Sequence, residues 1–291
     1  RSVVRGDGLL SREVGVIENL YKTPWPWFGG KADAAPQVWA ALGDVDHYVE
    51  PFAGSLAVLL RRPHVANRAY HSETVNDLDS LLCNAWRAIV HAPDAVAEAA
   101  SWPVCEADLM ARHLRLLAWR AEGNAERLMA DPDFYDARMA GWWMWGQSCW
   151  IGSGWCSGRG PWIVGADGRI AKRSRGGGVH RKLPHVSDDG RGVNHAGARE
   201  EGVGDEPEYH PMTMPELRRW LRFLSARLRH VRVLNGSWER AVTSGVLKTI
   251  TVRQGKGAAG IFLDPPYSDE VRADGLYAHD SGTVAADVRA W

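Results

Sequence analysis

Short apolar runs alternate with stretches of helix-spaced apolar residues along this chain, the pattern of an α/β protein built on a parallel sheet. His47-Tyr48-Val49-Glu50 predicts a strand, Phe52-Ala53-Gly54-Ser55 a small-residue turn, and the residues after it a helix. A second strand is predicted from Arg68 to Glu73, ending on an acid, with Asn76-Asp77-Leu78 opening the next helix. Residues 91–130 are helical and amphipathic, and the tryptophan-dense run from Gly141 to Cys156 predicts a buried aromatic helix entering a turn. Met214 to His230 has helical spacing and leads into a third strand and its loop, Val231 to Glu239. Leu247–Val252 is a further strand candidate. The apolar run Ala258–Leu263 is the last strong strand signal, and the final segment ends in a predicted helix, GTVAADVRAW.

Composition narrows the class. Lys+Arg and Asp+Glu balance at 35 each, so any surface for a polyanion must be local. The apolar fraction of 45% permits a full core over 291 residues. No apolar run is long enough for a membrane span, and the first residues do not read as a signal peptide. Four cysteines without a CxxC pair fit a reducing cytoplasm. One segment departs from the charge balance: residues 157–200 hold nine basic residues against four acidic, a formal excess of five. This glycine-rich stretch, with a hairpin turn expected at Ala166-Asp167-Gly168, suits contact with phosphates through Arg169, Lys172, Arg173, Arg175, Arg181 and Lys182.

The most specific chemistry follows the last strand. Asp264-Pro265-Pro266-Tyr267 cannot continue as a helix, because each proline fixes its own φ and pushes the preceding residue extended. The stretch therefore projects a carboxylate, rigid carbonyls and an aromatic ring from a strand's carboxyl end, where open α/β sheets bind ligands. The exocyclic amine of a nucleobase is a poor nucleophile, its lone pair being delocalised into the ring. A carboxylate and a backbone carbonyl that accept its hydrogens favour a tetrahedral nitrogen and offset the charge that develops on attack.

Upstream, Trp27-Phe28-Gly29-Gly30-Lys31 offers an aromatic, two glycines for close backbone approach and a cation. The Phe52–Ser55 turn would let a nucleoside-type ligand lie against the first strand; it is not the GxGxxG pattern of a dinucleotide site. An acid ending strand two suits ribose hydroxyls.

In this order PWFGGK, VEPFAGS, an acid before NDL, a long insertion, VLNGSW and LDPPYS resemble the Dam-like, alpha-group DNA adenine-N6 methyltransferases, from about Trp25 to Tyr277. The resemblance implies a Rossmann-like sheet that uses S-adenosylmethionine, with an inserted helical and Gly/Arg-rich recognition domain. It implies cofactor contacts at Trp27, Lys31, Phe52, Ala53, Gly54, Ser55, Glu73, Ser237, Trp238 and Asp264, and catalysis by Asp264, Pro265, Pro266 and Tyr267 on an adenine flipped out of double-stranded DNA. The corresponding division is a core over 1–92, a target-recognition insertion over 93–211, and a second core part over 212–291. Relatives carry more strands after the catalytic motif; only 24 residues follow Tyr267 here, so the expectation is an incomplete sheet, in a fragment or completed by a partner. The setting that the resemblance implies is the cytoplasm of a prokaryotic or phage-infected cell, as a solitary, phage-type enzyme or in a restriction-modification role. Other readings of the same residues are transfer to cytosine N4, transfer to RNA, and an inactive DNA-binding remnant. Cytosine-C5 chemistry lacks context at Cys105, and a zinc site from Cys149, Cys156, His180 and His185 is irregularly spaced, so no metal is expected.

Overall fold

The computed structural model describes residues 21–27, 30–63, 72–150, 155–156, 162–164, 170–172, 213–247, 258–266 and 283–291. Six strands lie among them: β1 (His47–Glu50), β2 (Ser72–Asp77), β3 (Trp162–Val164), β4 (Ile170–Lys172), β5 (Val231–Asn235) and β6 (Ala259–Ile261). β5, β2, β1 and β6 form one parallel sheet in that order. Chain order reverses at β1, which has the next strand in sequence on one side and the last on the other. Every carboxyl end in a parallel sheet points the same way, and such a reversal opens a crevice there. The α/β class and the parallel, Rossmann-like sheet expected from the sequence are both present.

The helices are α1 (Ala35–Leu42), α2 (Ala57–Leu60), α3 (Ser80–His91), α4 (Pro93–Ala100), α5 (Glu106–Trp119), α6 (Ala125–Ala130), α7 (Ala137–Cys149), α8 (Met214–Leu228), α9 (Ser244–Leu247) and α10 (Val284–Ala290). Their starts follow local chemistry. Asp79 caps α3 by accepting from Leu81 N, and Asp136 caps α7 by accepting from Met139 N. Thr213 and Glu216 form a capping box that begins α8, with Pro215 in its first turn.

α7 is the tryptophan-dense helix. Trp143 and Trp145 are buried, and Trp143 meets the ring of Trp25 at 5.0 Å, while Trp25 packs on Trp86 at 4.4 Å. The aromatic run is therefore core, and it ties the N-terminal segment to α3. α4 packs against α7 and α8, and one hydrophobic cluster runs from Trp25 to Leu228. β3 and β4 pair antiparallel on either side of the expected hairpin turn, whose own residues lie outside the described ones. Leu247 closes α9 rather than opening a strand, and the rest of that strand candidate lies outside the described residues.

The second strand differs from expectation. It runs from Ser72 to Asp77, about four residues later than the predicted Arg68–Glu73, and α3 starts only at Ser80. Thr74 and Val75, β-branched and buried, are its centre. Glu73 consequently sits near the amino end of β2, away from the ligand edge. It is clamped there by Arg62 (3.1 Å) and by Arg227 of α8 (2.7 Å), with all three side chains largely buried. Burial pushes the Glu73 carboxyl up, but Arg227 and Arg62 outweigh it and hold the group below the usual glutamate range. Glu73 is thus a structural ion-pair partner and not a ribose ligand.

Glu73→Gln would leave two buried guanidinium groups short of a counter-charge. A loss of roughly 3 kcal/mol of folding stability at pH 7 is expected. Since the folded carboxyl titrates lower than the unfolded one, its contribution is present above the unfolded pKa and fades as pH falls through the folded value. Denaturation of wild type and variant should therefore converge in acid, and equal stability at pH 7 would contradict the assignment.

Candidate functional site

The carboxyl ends of β1, β2, β5 and β6 carry the candidate residues. Pro51 follows β1 and leads into the Phe52–Ser55 turn. Gly54 has φ +46, which glycine adopts without a Cβ penalty, and Leu56 follows in the left-handed region at φ 57. The turn is fixed from several directions. Ala53 N donates to Asn76 O (2.8 Å), Gly54 N to Asp77 Oδ2 (2.9 Å), Trp86 Nε1 to Gly54 O (3.3 Å) and Thr23 Oγ1 to Ser55 O (2.6 Å). Trp27 lies directly over Gly54: a Cβ there would stand 2.6 Å from Trp27 Nε1. The aromatic before the double glycine thus buttresses the turn.

Asp77 is the acid that ends β2. Its Oδ2 accepts from Gly54 N and its Oδ1 from Asp79 N, both at 2.9 Å. Burial raises the Asp77 carboxyl to about 6, while those two backbone donors pull it down. Asp77 keeps a partly exposed edge, and its neighbour Leu78 is 50% exposed. The Val231–Asn235 strand continues into Gly236-Ser237-Trp238, held by Gly236 N donating to Asp77 O (2.9 Å) and Asn76 Nδ2 donating to Gly236 O (2.9 Å). The Trp238 ring stacks beside Phe52, centroids 6.1 Å apart. Ser237 hydrogen-bonds Glu239.

Sequence reasoning missed Asp77 because it assigned Asn76-Asp77-Leu78 to the helix. The overlooked signal was the Thr74-Val75 pair, which marks the strand, followed by an acid two residues before the Asp79 cap.

On the other side of β1, Phe262 N donates to Val49 O (2.9 Å), so Leu263 and Asp264 extend past the strand ends. Asp264 Oδ2 pairs with Lys31 Nζ at 2.6 Å. Between the two sides, buried Glu50 ends β1 and accepts from Tyr48 Oη (3.1 Å). Burial raises the Glu50 carboxyl to about 8; the Tyr48 and Leu59 hydrogen bonds oppose this, and the charges of Asp264 and Asp77 add to it. Asp77 and Asp264 thus stand at the carboxyl ends of the strands on either side of β1, with the buried Glu50 carboxyl between them. Such a rim favours a cationic ligand, and the aromatic pair and the exposed Leu78 favour a flat, partly apolar one.

Residues 27–107 match the model of a known family, the D12 class N6 adenine-specific DNA methyltransferases. Over that segment the chain is similar to adenine-N6 DNA methyltransferases of this class. No curated protein matches the chain. The matched segment spans Lys31, the 52–55 turn and Asp77, the same residues that the fold brings to the sheet's ligand edge. The family acts on adenine N6, so transfer to cytosine N4, transfer to RNA and an inactive remnant have no support here.

The geometry of the site joins most of the residues singled out in the sequence. Trp27, Lys31, Phe52–Ser55, Trp238 and Asp264 converge; Glu73 does not, and Asp77 occupies its expected place. Pro265 and Pro266 follow Asp264 as partly buried residues without regular structure. Tyr267 lies outside the described residues. So do Arg169, Arg173, Arg175, Arg181 and Lys182, while Lys172 ends β4. Of the zinc candidates, Cys149 and Cys156 are buried, with burial pushing Cys149 up to about 12 and Cys156 well up, and both histidines lie outside the described residues. No helix among the described residues is long and apolar enough to cross a membrane.

Proposed function

We propose that the methyltransferase moves a methyl group from S-adenosylmethionine to N6 of an adenine flipped out of double-stranded DNA, in the manner of the Dam-like alpha group. The observation that carries this is the convergence of Asp264, the Phe52–Ser55 turn and Asp77 around the reversal point at β1.

The residues at the crevice fit the cofactor. Carboxylates suit its sulfonium and ammonium charges, the Phe52–Trp238 pair and Leu78 suit its adenine, and Asp77 has the place from which a carboxylate accepts from ribose hydroxyls. When bound, S-adenosylmethionine supplies an electrophilic methyl on a positively charged sulfur. Asp264 and the carbonyl of Pro265 accept from the target amine, turning its lone pair toward that methyl. With the cofactor bound, the amine held in this way would take the methyl as the C–S pair stayed on sulfur, and Asp264 and solvent would receive the proton that N6 gives up. Tyr267 stacks on the flipped ring, and Ser237 flanks the cofactor's adenine. The basic segment with Arg169, Lys172, Arg173, Arg175, Arg181 and Lys182 follows the duplex phosphates. Residues 93–211 supply target recognition, and the expected setting is the cytoplasm of a prokaryotic or phage-infected cell.

The test is methylation of unmethylated double-stranded DNA with S-adenosylmethionine, followed by mass analysis of nucleosides. N6-methyladenine is the expected product. N4-methylcytosine, or incorporation into RNA alone, would overturn the proposal.

A further inference from the structure

The Lys31–Asp264 pair links a residue expected to touch cofactor with the residue expected to hold the target amine. Lys31 is placed rigidly. Gly30 N donates to Trp27 O (3.2 Å), closing the preceding turn, and Lys31 O accepts from Ala35 N at the head of α1 (3.0 Å). From there its ammonium reaches Asp264 Oδ2 at 2.6 Å. The two side chains are 25% and 27% exposed, open enough for a ligand to approach. An ion pair this accessible adds little to folding stability, so stability does not account for its placement.

Asp264 needs a positioning partner. The prolines that follow fix their own φ angles but leave the aspartate side-chain torsions free, and a carboxylate about its terminal torsion has two nearly equivalent oxygens. An ammonium on Oδ2 removes that equivalence. It also offsets negative charge in a crevice where Asp264 already disfavours ionisation of Glu50.

We infer that Lys31 is a positioning residue for Asp264: it anchors Oδ2 and leaves Oδ1 to accept from the target amine. This rests on the methyl-transfer reading, and it gives Lys31 a part in the chemical step beyond any contact with cofactor. A misplaced acceptor lowers the rate of the bound complex, whereas a lost cofactor contact weakens cofactor binding.

The experiment uses the full chain, S-adenosylmethionine carrying a labelled methyl, and unmethylated DNA amplified in vitro. Cofactor affinity is measured separately by calorimetry. Lys31→Met should lower the single-turnover rate at saturating cofactor by about 10²-fold. Whatever change the variant shows in cofactor Kd, this loss should persist when cofactor is raised well above that Kd, and Lys31→Arg should recover most of the rate. Combining Lys31→Met with Asp264→Asn should cost no more than Asp264→Asn alone, because the two act as a unit. Should Lys31→Met not fold, Lys31→Gln carries the same test, with the same rate loss expected at saturating cofactor and overturned by the same outcomes. The inference is overturned if raising cofactor restores the Lys31→Met rate, or if that variant equals wild type. Absence of any labelled methyl in DNA with wild type would overturn the underlying reading instead, and is separable because no variant is needed to see it.

Discussion

Asp264→Ala is expected to reduce methyl transfer to DNA by at least about 10³-fold while DNA affinity and folding are retained. The carboxylate stands past the end of β6, is partly exposed, and makes its recorded ion pair with Lys31 across the crevice. Losing that pair costs at most about 1 kcal/mol of stability, the usual range for exposed ion pairs. The chemical loss is far larger. An adenine amine whose hydrogens have no acceptor keeps its lone pair in the ring, and its developing charge is left unbalanced in the transition state. Single-turnover incorporation of labelled methyl, alongside a thermal melt and a DNA-binding titration, separates these effects. Full activity in Asp264→Ala would remove Asp264 from the catalytic role.

Asp77→Ala is expected to weaken S-adenosylmethionine binding by about 10³-fold, two charge-assisted hydrogen bonds at about 2 kcal/mol each. Those are the bonds proposed to the ribose. The variant also frees Gly54 N and Asp79 N, which Asp77 now accepts from at 2.9 Å, so the 52–55 turn should loosen too. A pH signature accompanies the change. Burial raises Asp77 from 3.8 to about 6, so between those values the folded protein holds a proton that the unfolded chain releases. Stability then falls as pH rises through that window, and the Ala variant should lack this contribution. Calorimetric titration with cofactor reads the first effect and chemical denaturation between pH 4 and 7 the second. Unchanged cofactor affinity would return the ribose role to another residue.

The contrast between Asp77 and Glu73 shows where reading the chain succeeds and where it stops. Both acids lie near the same predicted strand end, and spacing from the glycine turn fits either within a few residues. What separates them is strand register. Tyr48 pairs with Glu73 and Glu50 with Val75, which carries Asp77 beyond the end of β1 and leaves Glu73 beside the amino end. The guanidinium of Arg227, 154 residues away in sequence, then claims Glu73. Such a partner has no local signature. The Lys31–Asp264 pair is equally invisible along the chain, since its two residues meet only because β6 crosses to the far side of β1.

Local chemistry was enough for much else. Proline pairs and small-residue turns mark the ends of β6 and β1, capping residues mark the start of α8, and helical spacing marks the aromatic α7, because each depends on backbone geometry within a few residues. The sequence by itself therefore determined the α/β class, the rigid Asp-Pro-Pro stub and the turn beside β1. The tertiary structure alone decided which acid faces the ligand edge and which cation meets Asp264. Those choices depend on parallel pairing between distant strands, whose register is fixed by burial of Val49, Thr74 and Val75 against the whole core.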